Sequence, residues 1–427
     1  MILTLSHFRD PIHGFIEVRP WEEKIIDSKP FQRLRGIKQL SLTYLVYHGA
    51  EHTRFGHSLG VMHLATRAFR VVTSNKETLF STEKIAWYEQ ILRLIALMHD
   101  LGHAPFSHGS ESVFPDGQEH EDFTEKIILK TEIADFINEI GREFVVKYGE
   151  VCNITPELIC SIYQGRSTGN PDFIFLKKFM DSELDCDKMD YLLRDSVYCG
   201  VNYGKYDLER LLSTLTAYQQ GQNTFLAIEK GGIHAFEEFV LARYFMFVQV
   251  YFHKARRFLD KMLVDFLAQN LPDGRYPDNV EEYLHWNDAR VWNMIENRES
   301  SNESAMRLIG RKIMKCVYES PVHSDRAQIQ MYNLIKSDLK KLCGEANLIF
   351  DSADKMTHKI PLKYEIDSEQ AIPIILDHSE KPSTISAESG IIKKMTEPIN
   401  ILRIYAHENS AKDAAAFVKE RMKDMNE

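Results

Sequence analysis

The chain has 427 residues, with 52 Lys+Arg set against 62 Asp+Glu, giving a formal net charge of −10 at pH 7. That length exceeds the usual size of one domain, and hydrophobic residues at 44% with charged residues at 27% supply a substantial core and exclude global disorder. The acidic total argues against a protein that coats nucleic acid by general phosphate attraction, so nucleic acid is not expected as the main partner, although a local basic pocket stays open.

In chain order, Asp10-Pro11-Ile12-His13-Gly14 is turn punctuation, and the alternation Phe15-Ile16-Glu17-Val18 after it predicts a small hairpin. From Ser28, a candidate N-cap, Phe31, Leu34, Ile37 and Leu40 recur at helical spacing and predict a helix whose basic face carries Arg33, Arg35 and Lys38. Glu83 to His99 carries a broad apolar stripe, as in a helix buried on most of its surface, and runs directly into His99-Asp100 before Gly102 and Pro105 interrupt it. Helical periodicity continues over about 121–147, 173–198, 206–218 and 232–270. After Leu271-Pro272-Asp273-Gly274 come further helical segments, broken by a polar loop at 297–302. Strands are expected near 371–376 and 399–405, a loop at 378–390, and a closing helix over 411–425.

The fold class expected is mainly α. A hairpin and basic helix over 1–50 would pack on a helical core over 51–270, followed by a helical extension over 271–345 and an α+β lobe over 346–427. No stretch reaches the roughly 18 apolar residues of a spanning helix. No membrane partner is expected, and the expected location is cytoplasmic. Cys152, Cys160, Cys186, Cys199, Cys316 and Cys343 form no C-x-x-C pair and are expected to be reduced thiols.

The histidines direct the search for chemistry, because His48, His52, His57, His63, His99, His103, His108 and His120 crowd into one segment. At the end of a buried helix, His99 and Asp100 would need partners, and one divalent cation satisfies imidazole and carboxylate together. Such a mixed nitrogen and oxygen set suits manganese, iron, magnesium or zinc. The best further ligands are His57, in Arg54-Phe55-Gly56-His57-Ser58-Leu59-Gly60, and Asp187, in Asp185-Cys186-Asp187-Lys188-Met189-Asp190-Tyr191. On a helix, Asp187, Tyr191 and Asp195 fall on one face with Lys188 alongside, which gives either a pocket wall or a solvated acidic helix with ion pairs.

These segments, together with Phe31-Gln32-Arg33-Leu34-Arg35, Ile37-Lys38-Gln39-Leu40 and His99-Asp100-Leu101-Gly102-His103-Ala104-Pro105-Phe106-Ser107-His108, resemble in order the HD-domain superfamily of metal-dependent phosphohydrolases, in its deoxynucleoside triphosphate triphosphohydrolase branch. The resemblance covers about the first 260 residues. It implies an HD-domain helical core and one divalent metal on His57, His99, Asp100 and Asp187. It implies catalytic roles for His103, His108, Glu111 and His120, a triphosphate clamp of Arg54, Lys188 and Arg243, a sugar site from Gln39, Leu40, Tyr191 and Asp195, and substrate binding by Tyr251. A regulatory nucleotide site from Asp27, Gln32, Arg33 and Arg35 at subunit contacts, activation by a nucleotide, and a homo-oligomer, dimer or tetramer, are implied as well. The reaction implied is attack of metal-activated water on the α-phosphorus of a deoxynucleoside triphosphate, giving deoxynucleoside and inorganic triphosphate.

The chain departs from the family at Gly56, where Glu is common, at His48, where Pro is frequent, and at Phe247 and Phe252, where polar residues line the vertebrate enzyme. It also lacks a basic residue near Ser6. An HD phosphohydrolase for another nucleotide or nucleic-acid phosphate ester, and a non-catalytic nucleotide sensor, are the alternatives.

Overall fold

The structure is a computed structural model and describes residues 5–75, 79–166, 168–361, 371–377, 379 and 381–424. Strands β1 (Ser6–Asp10) and β2 (Gly14–Val18) form the expected antiparallel hairpin, with Asp10 opposite Gly14. Asp10 Oδ1 accepts the amides of Ile12 and His13 at 2.9 and 3.0 Å, and Gly14 takes φ 75° at the end of the turn. Ile16 and Val18 point into the core.

The helix expected from Ser28 is shorter than its periodicity. Ser28 caps only Lys29–Gln32, and a 3-10 turn over Arg33–Gly36 follows. Beyond that, tertiary partners take the backbone groups a helix would pair: Lys38 N donates to Asp288 Oδ2, Gln39 N to His52 O, and Arg54 N to Ile37 O.

Two long helices, Arg54–Asn75 and Thr82–Met98, make the centre, the second capped by Ser81 and buried along most of its length as its stripe predicts. The pattern over 121–147 resolves into His120–Lys130 and Glu132–Tyr148, separated where the Thr131 side chain caps the second helix. That over 173–198 resolves into Pro171–Lys177 and Cys186–Cys199, the latter capped by Asp185. That over 232–270 contains Ile233–Met246 and Lys254–Asn270, joined by a π-helical turn at Phe247–Tyr251. Such turns often mark functional sites, and Phe247 and Tyr251 line the cleft described below.

One expectation fails. Within 206–218 only Leu208–Ser213 is helical, and Leu215–Gln220 is strand β3, which turns at Gly221 to pair with β4 (Asn223–Glu229). β4 then pairs in parallel with β7 (Pro373–Ile375), which pairs with β8 (Ser383–Thr384). The long-range sheet order β3-β4-β7-β8 overrides the local period. The loop expected at 378–390 contains β8 and the short helix Ile385–Glu388, while residues 378 and 380 lie outside the described ones.

A second, smaller core is built on β5 (Lys315–Glu319), β6 (Leu348–Lys355) and β9 (Ile399–Ala406), ordered β5-β9-β6 and fully antiparallel. The helices Arg326–Cys343 and Ala411–Asp424 cover it and bury Ile335, Leu339, Ile404 and Ala414. The expected strand at 399–405 and closing helix from 411 are both present, with residue 425 outside the described chain. Among the described residues no helix is long and apolar enough to cross a membrane.

Candidate active site

Where the Thr82–Met98 helix ends, His99 and Asp100 enter a cleft of about 1320 Å³. The turn that delivers them requires glycine at 102, because a Cβ there would lie 1.9 Å from His120 O and 2.4 Å from Thr124 N. Gly102 N donates to Thr124 Oγ1 at 2.9 Å, while Thr124 Oγ1 and Tyr163 Oη both donate to His99 O, at 3.1 and 3.0 Å. The helix-end carbonyl is thereby satisfied by side chains rather than by water. His99 Nδ1 donates to Ala96 O at 2.8 Å, which leaves Nε2 as the free lone pair.

His57 is oriented by the same logic from another direction. Its Nδ1 donates to Asp190 Oδ2 at 2.7 Å, and Asp190 also accepts from His13 Nε2 at 2.6 Å and from Arg194 Nε and Nη2 at 2.7 and 2.9 Å. Arg194 Nη1 continues to Asp10 Oδ2 at 2.9 Å, so the N-terminal hairpin is wired to the back of the site. The helix carrying His57 approaches this cluster at Gly60, where a Cβ would lie 1.9 Å from Asp190 Oδ1.

The four ligands expected from the sequence converge. His57 Nε2 lies 2.9 Å from Asp187 Oδ1 and 3.6 Å from Asp100 Oδ2, and His99 Nε2 lies 3.3 Å from Asp100 Oδ1 and 3.7 Å from Asp187 Oδ1. Both Nε2 atoms are buried without a hydrogen-bond partner, and the donors of His57, His99 and Asp187 are close enough together to hold one ion. Buried lone pairs facing ionised carboxylates are the environment a divalent cation completes, so the residues fit the metal. Burial opposes ionisation of Asp100, but Arg54, His99 and His103 outweigh it and hold that carboxyl well below the usual range.

Beside this set, Glu111 gathers His103, His108 and His120, the three histidines expected to be catalytic. Its Oε1 lies 2.9 Å from His120 Nδ1 and 3.4 Å from His103 Nδ1, and its Oε2 lies 2.8 Å from His108 Nδ1. The His103 and His120 rings stack at 3.9 Å, and His103 Nε2 is 3.2 Å from Asp100 Oδ1. Burial pushes the His103 pKa down to about 3, with Arg54 and His120 adding to it. For His120, burial is outweighed by hydrogen bonding to Glu111, and its pKa is raised. Two stacked imidazoles whose pKa values are pushed in opposite directions, one of them beside the metal set, are groups suited to moving a proton. The four donors of this group also lie close enough together to hold a cation.

The cationic wall is built from paired charges. Arg54 donates from Nη1 to Asp100 Oδ2 at 2.6 Å and from Nε to Ser107 Oγ at 2.7 Å. Ser107 and its neighbour Phe106 hold left-handed φ of 52° and 59°, strain concentrated in the loop that supports Arg54. Lys188 pairs with Asp185 and donates to Ser182 O at 2.9 Å, and Arg243 donates to Glu183 Oε2 at 2.8 Å. At the corner expected to take the sugar, Asp195 is held through Oδ1 by His52 Nε2 and through Oδ2 by Tyr251 Oη, each at 2.7 Å. Gln39, Leu40 and Tyr191 line the same cleft with Phe247 and Phe252, and Gln39 Oε1 is buried and unpartnered.

The residues expected to form a regulatory nucleotide site at subunit contacts, Asp27, Gln32, Arg33 and Arg35, are not among those lining this cleft. Arg33 is buried, donates to Trp286 O, Leu101 O and His103 O at 2.8, 3.3 and 2.9 Å, and lies 4.7 Å over the Tyr283 ring. These bonds tie Arg33 to the turn after Asp100. Gln32 donates to Ile26 O and accepts from Arg35, whose guanidinium covers Phe55, and Asp27 is exposed.

Asp10, His13, His52, Asp190, Arg194, Lys355 and Lys359 carry site geometry that the sequence did not assign. For Asp190 and Arg194 a signal existed, three and seven positions beyond Asp187 on the same helix.

The HD domain family matches residues 54–163, and the HD associated region family matches residues 206–396, well past the motifs that run over the first part of the chain. An uncharacterized protein of Bacillus subtilis, YwfO, is 30% identical over 91% of this chain and 89% of its own length. The deoxynucleoside triphosphate triphosphohydrolase SAMHD1 of Bos taurus is 26% identical over 96% of this chain and 71% of that protein. A hypothetical protein of Aquifex aeolicus has a solved structure that matches with a TM-score of 0.79 at 32% identity, over 97% of this chain and 99% of that one. The match to the HD domain, the extended match to its associated region and the full-length relatives together place the chain in the HD-domain phosphohydrolase family, with deoxynucleoside triphosphate triphosphohydrolases among its relatives.

Proposed function

We propose that the protein hydrolyses deoxynucleoside triphosphates to the deoxynucleoside and inorganic triphosphate, using one divalent metal held by His57, His99, Asp100 and Asp187. One observation carries this: the orphaned Nε2 of His99 and the carboxylates of Asp100 and Asp187, with the buried Nε2 of His57 directly behind them, lie in the wall of the same cleft that gathers Arg54, Lys188, Arg243 and the Asp195 corner. When bound, manganese, iron, magnesium or zinc supplies Lewis acidity toward water and phosphate oxygen. Water forms the new bond to the α-phosphorus, the bond from phosphorus to O5′ breaks, and O5′ takes up a proton. His108, hydrogen-bonded to Glu111 Oε2, and His120, with its Nδ1 2.9 Å from Glu111 Oε1, are the candidates to give that proton, and Glu111 orients them. Asp195, fixed by His52 and Tyr251, accepts from the sugar 3′-hydroxyl, and the Tyr251 ring it locks in place disfavours an added 2′-hydroxyl.

The test is to incubate the pure protein with single dNTPs and NTPs plus manganese, magnesium or iron and to separate the products. Deoxynucleoside plus triphosphate supports the proposal. No product from any dNTP, alone or with other dNTPs or GTP as activators, refutes it, and a different product identifies another phosphate ester as substrate. Assembly into a dimer or tetramer belongs to the same proposal and is read by light scattering with and without nucleotide.

A further inference from the structure

The clamp cations Arg54, Lys188 and Arg243 each already face a carboxylate: Asp100, Asp185 and Glu183. Polyanion binding needs positive charge that is not already neutralised. Two lysines from the C-terminal part of the chain, Lys355 and Lys359, line the same cleft and have no carboxylate within ion-pair distance among the described residues. Asp354 lines the same edge and pairs with neither.

Their backbone is held in place rather than loose. Lys355 ends β6 in register with Ile399 of β9. Thr357 Oγ1 donates to Glu397 O at 3.4 Å, His358 Nε2 to Ile392 O at 3.0 Å, and Ser386 Oγ to Pro361 O at 2.8 Å. Glu183 joins this segment to the clamp, since its Oε1 accepts Lys359 N at 3.1 Å while its Oε2 accepts Arg243 Nη1 at 2.8 Å. The Phe247 ring has two cationic neighbours, the Arg243 guanidinium 5.8 Å and the Lys355 ammonium 5.7 Å from its centre.

We propose that Lys355 and Lys359 are the outer half of a polyphosphate site, a cationic pair contributed by the C-terminal lobe that binds the far end of a linear polyanion whose near end lies at Arg54. This deepens the proposed function and rests on it for the identity of that polyanion. The electrostatics agree: burial lowers the Lys355 pKa, and Arg243, Lys188 and Lys359 lower it further, so an anion entering there relieves like-charge repulsion. On this proposal the cleft discriminates phosphate-chain length, because a longer chain engages the lysine pair as well as Arg54.

The experiment is calorimetric titration of the full chain, with saturating magnesium, by inorganic tripolyphosphate, pyrophosphate and orthophosphate. Wild type is expected to favour tripolyphosphate. The Lys355→Ala/Lys359→Ala double variant should lose roughly tenfold or more on tripolyphosphate and change little on orthophosphate, with most of the loss recovered in Lys355→Arg/Lys359→Arg. Unchanged tripolyphosphate affinity in the double variant, an equal loss for all three anions, or no tripolyphosphate binding by wild type overturns the proposal. Binding is read without turnover, so a chain that shows this pattern yet hydrolyses no dNTP refutes the proposed activity and leaves the polyanion site standing.

Discussion

Asp190→Asn is the sharpest probe of how this centre is built, because Asp190 touches no proposed ligand site for substrate and yet sets the chemistry of His57. Its two oxygens accept from His13, His57 and Arg194 at 2.6 to 2.9 Å in a fully buried position. Asparagine keeps the volume but exchanges one acceptor for a donor and removes the charge that balances Arg194. Arg194 retains Asp10 at 2.9 Å, so the loss is partial, and breaking a buried pair of this kind costs about 3–5 kcal/mol at most. The second effect falls on the metal. An amide N–H facing His57 Nδ1 stabilises the tautomer with its proton on Nε2, the atom aimed at Asp187 and Asp100, and loss of such a supporting partner typically lowers metal affinity roughly 10- to 100-fold. At metal concentrations that saturate both proteins, this removes a further ~1.4–2.7 kcal/mol of metal-linked stability. Equilibrium dialysis against manganese and urea denaturation with and without metal measure the two parts separately. If Asp190→Asn binds metal as wild type does, the assignment of Asp190 as the residue that fixes the His57 tautomer is wrong.

Metal analysis after dialysis should find about one equivalent in wild type and none in His57→Ala, whereas a second equivalent that survives His57→Ala and disappears with Glu111→Gln would place an ion on the Glu111 cluster instead of a proton route. Gly60→Ala drives a Cβ to 1.9 Å from Asp190 Oδ1 and 2.5 Å from Arg194 Nη2, and should cost roughly 1–3 kcal/mol in denaturant unfolding, with a parallel loss of metal affinity. Arg33→Ala orphans the Leu101 and His103 carbonyls and should destabilise by about 3 kcal/mol, while Arg35→Ala should stay near wild type; equal stability in the two variants would show that Arg33 does not support the Asp100 turn. Burial pushes the His63 pKa down to about 4, with His13, Arg67 and Arg93 adding to it. The unfolded chain therefore binds the extra proton first, so His63 favours folding fully above about pH 6.5 and loses that contribution as pH falls toward 4. A His63→Gln variant should lose less of its stability than wild type over that interval, and parallel pH profiles would refute the assignment.

The parts of this site that were legible in the sequence are those in which a local signal coincides with a chemical one. His99-Asp100 stands at the end of an apolar stripe, Gly102 and Pro105 say that the helix stops there, and Asp187, Tyr191 and Asp195 share a helical face, so spacing offers His99, Asp100 and a candidate wall, while the four-residue metal set rests on the resemblance. What stayed hidden depends on segments far apart in the chain. β3 and β4 were not legible because β4 gains its second partner, β7, from residues beyond 370, and no local period records that pairing. Lys355 is an ordinary exposed lysine in sequence and becomes a cleft residue only because β6 ends against Phe247. Asp10 and His13 were visible as turn residues, but their work is electrostatic: Asp10 shares Arg194 with Asp190, and His13 occupies the Asp190 oxygen that His57 does not use. Five side chains from the hairpin, the Arg54–Asn75 helix and the Cys186–Cys199 helix thus form one buried network of two carboxylates, one guanidinium and two imidazoles. Because the carboxylate that orients His57 is itself balanced through Arg194 by Asp10, the hairpin is part of the proposed metal centre, and residues 51–270 do not by themselves contain all of the groups that hold it in shape.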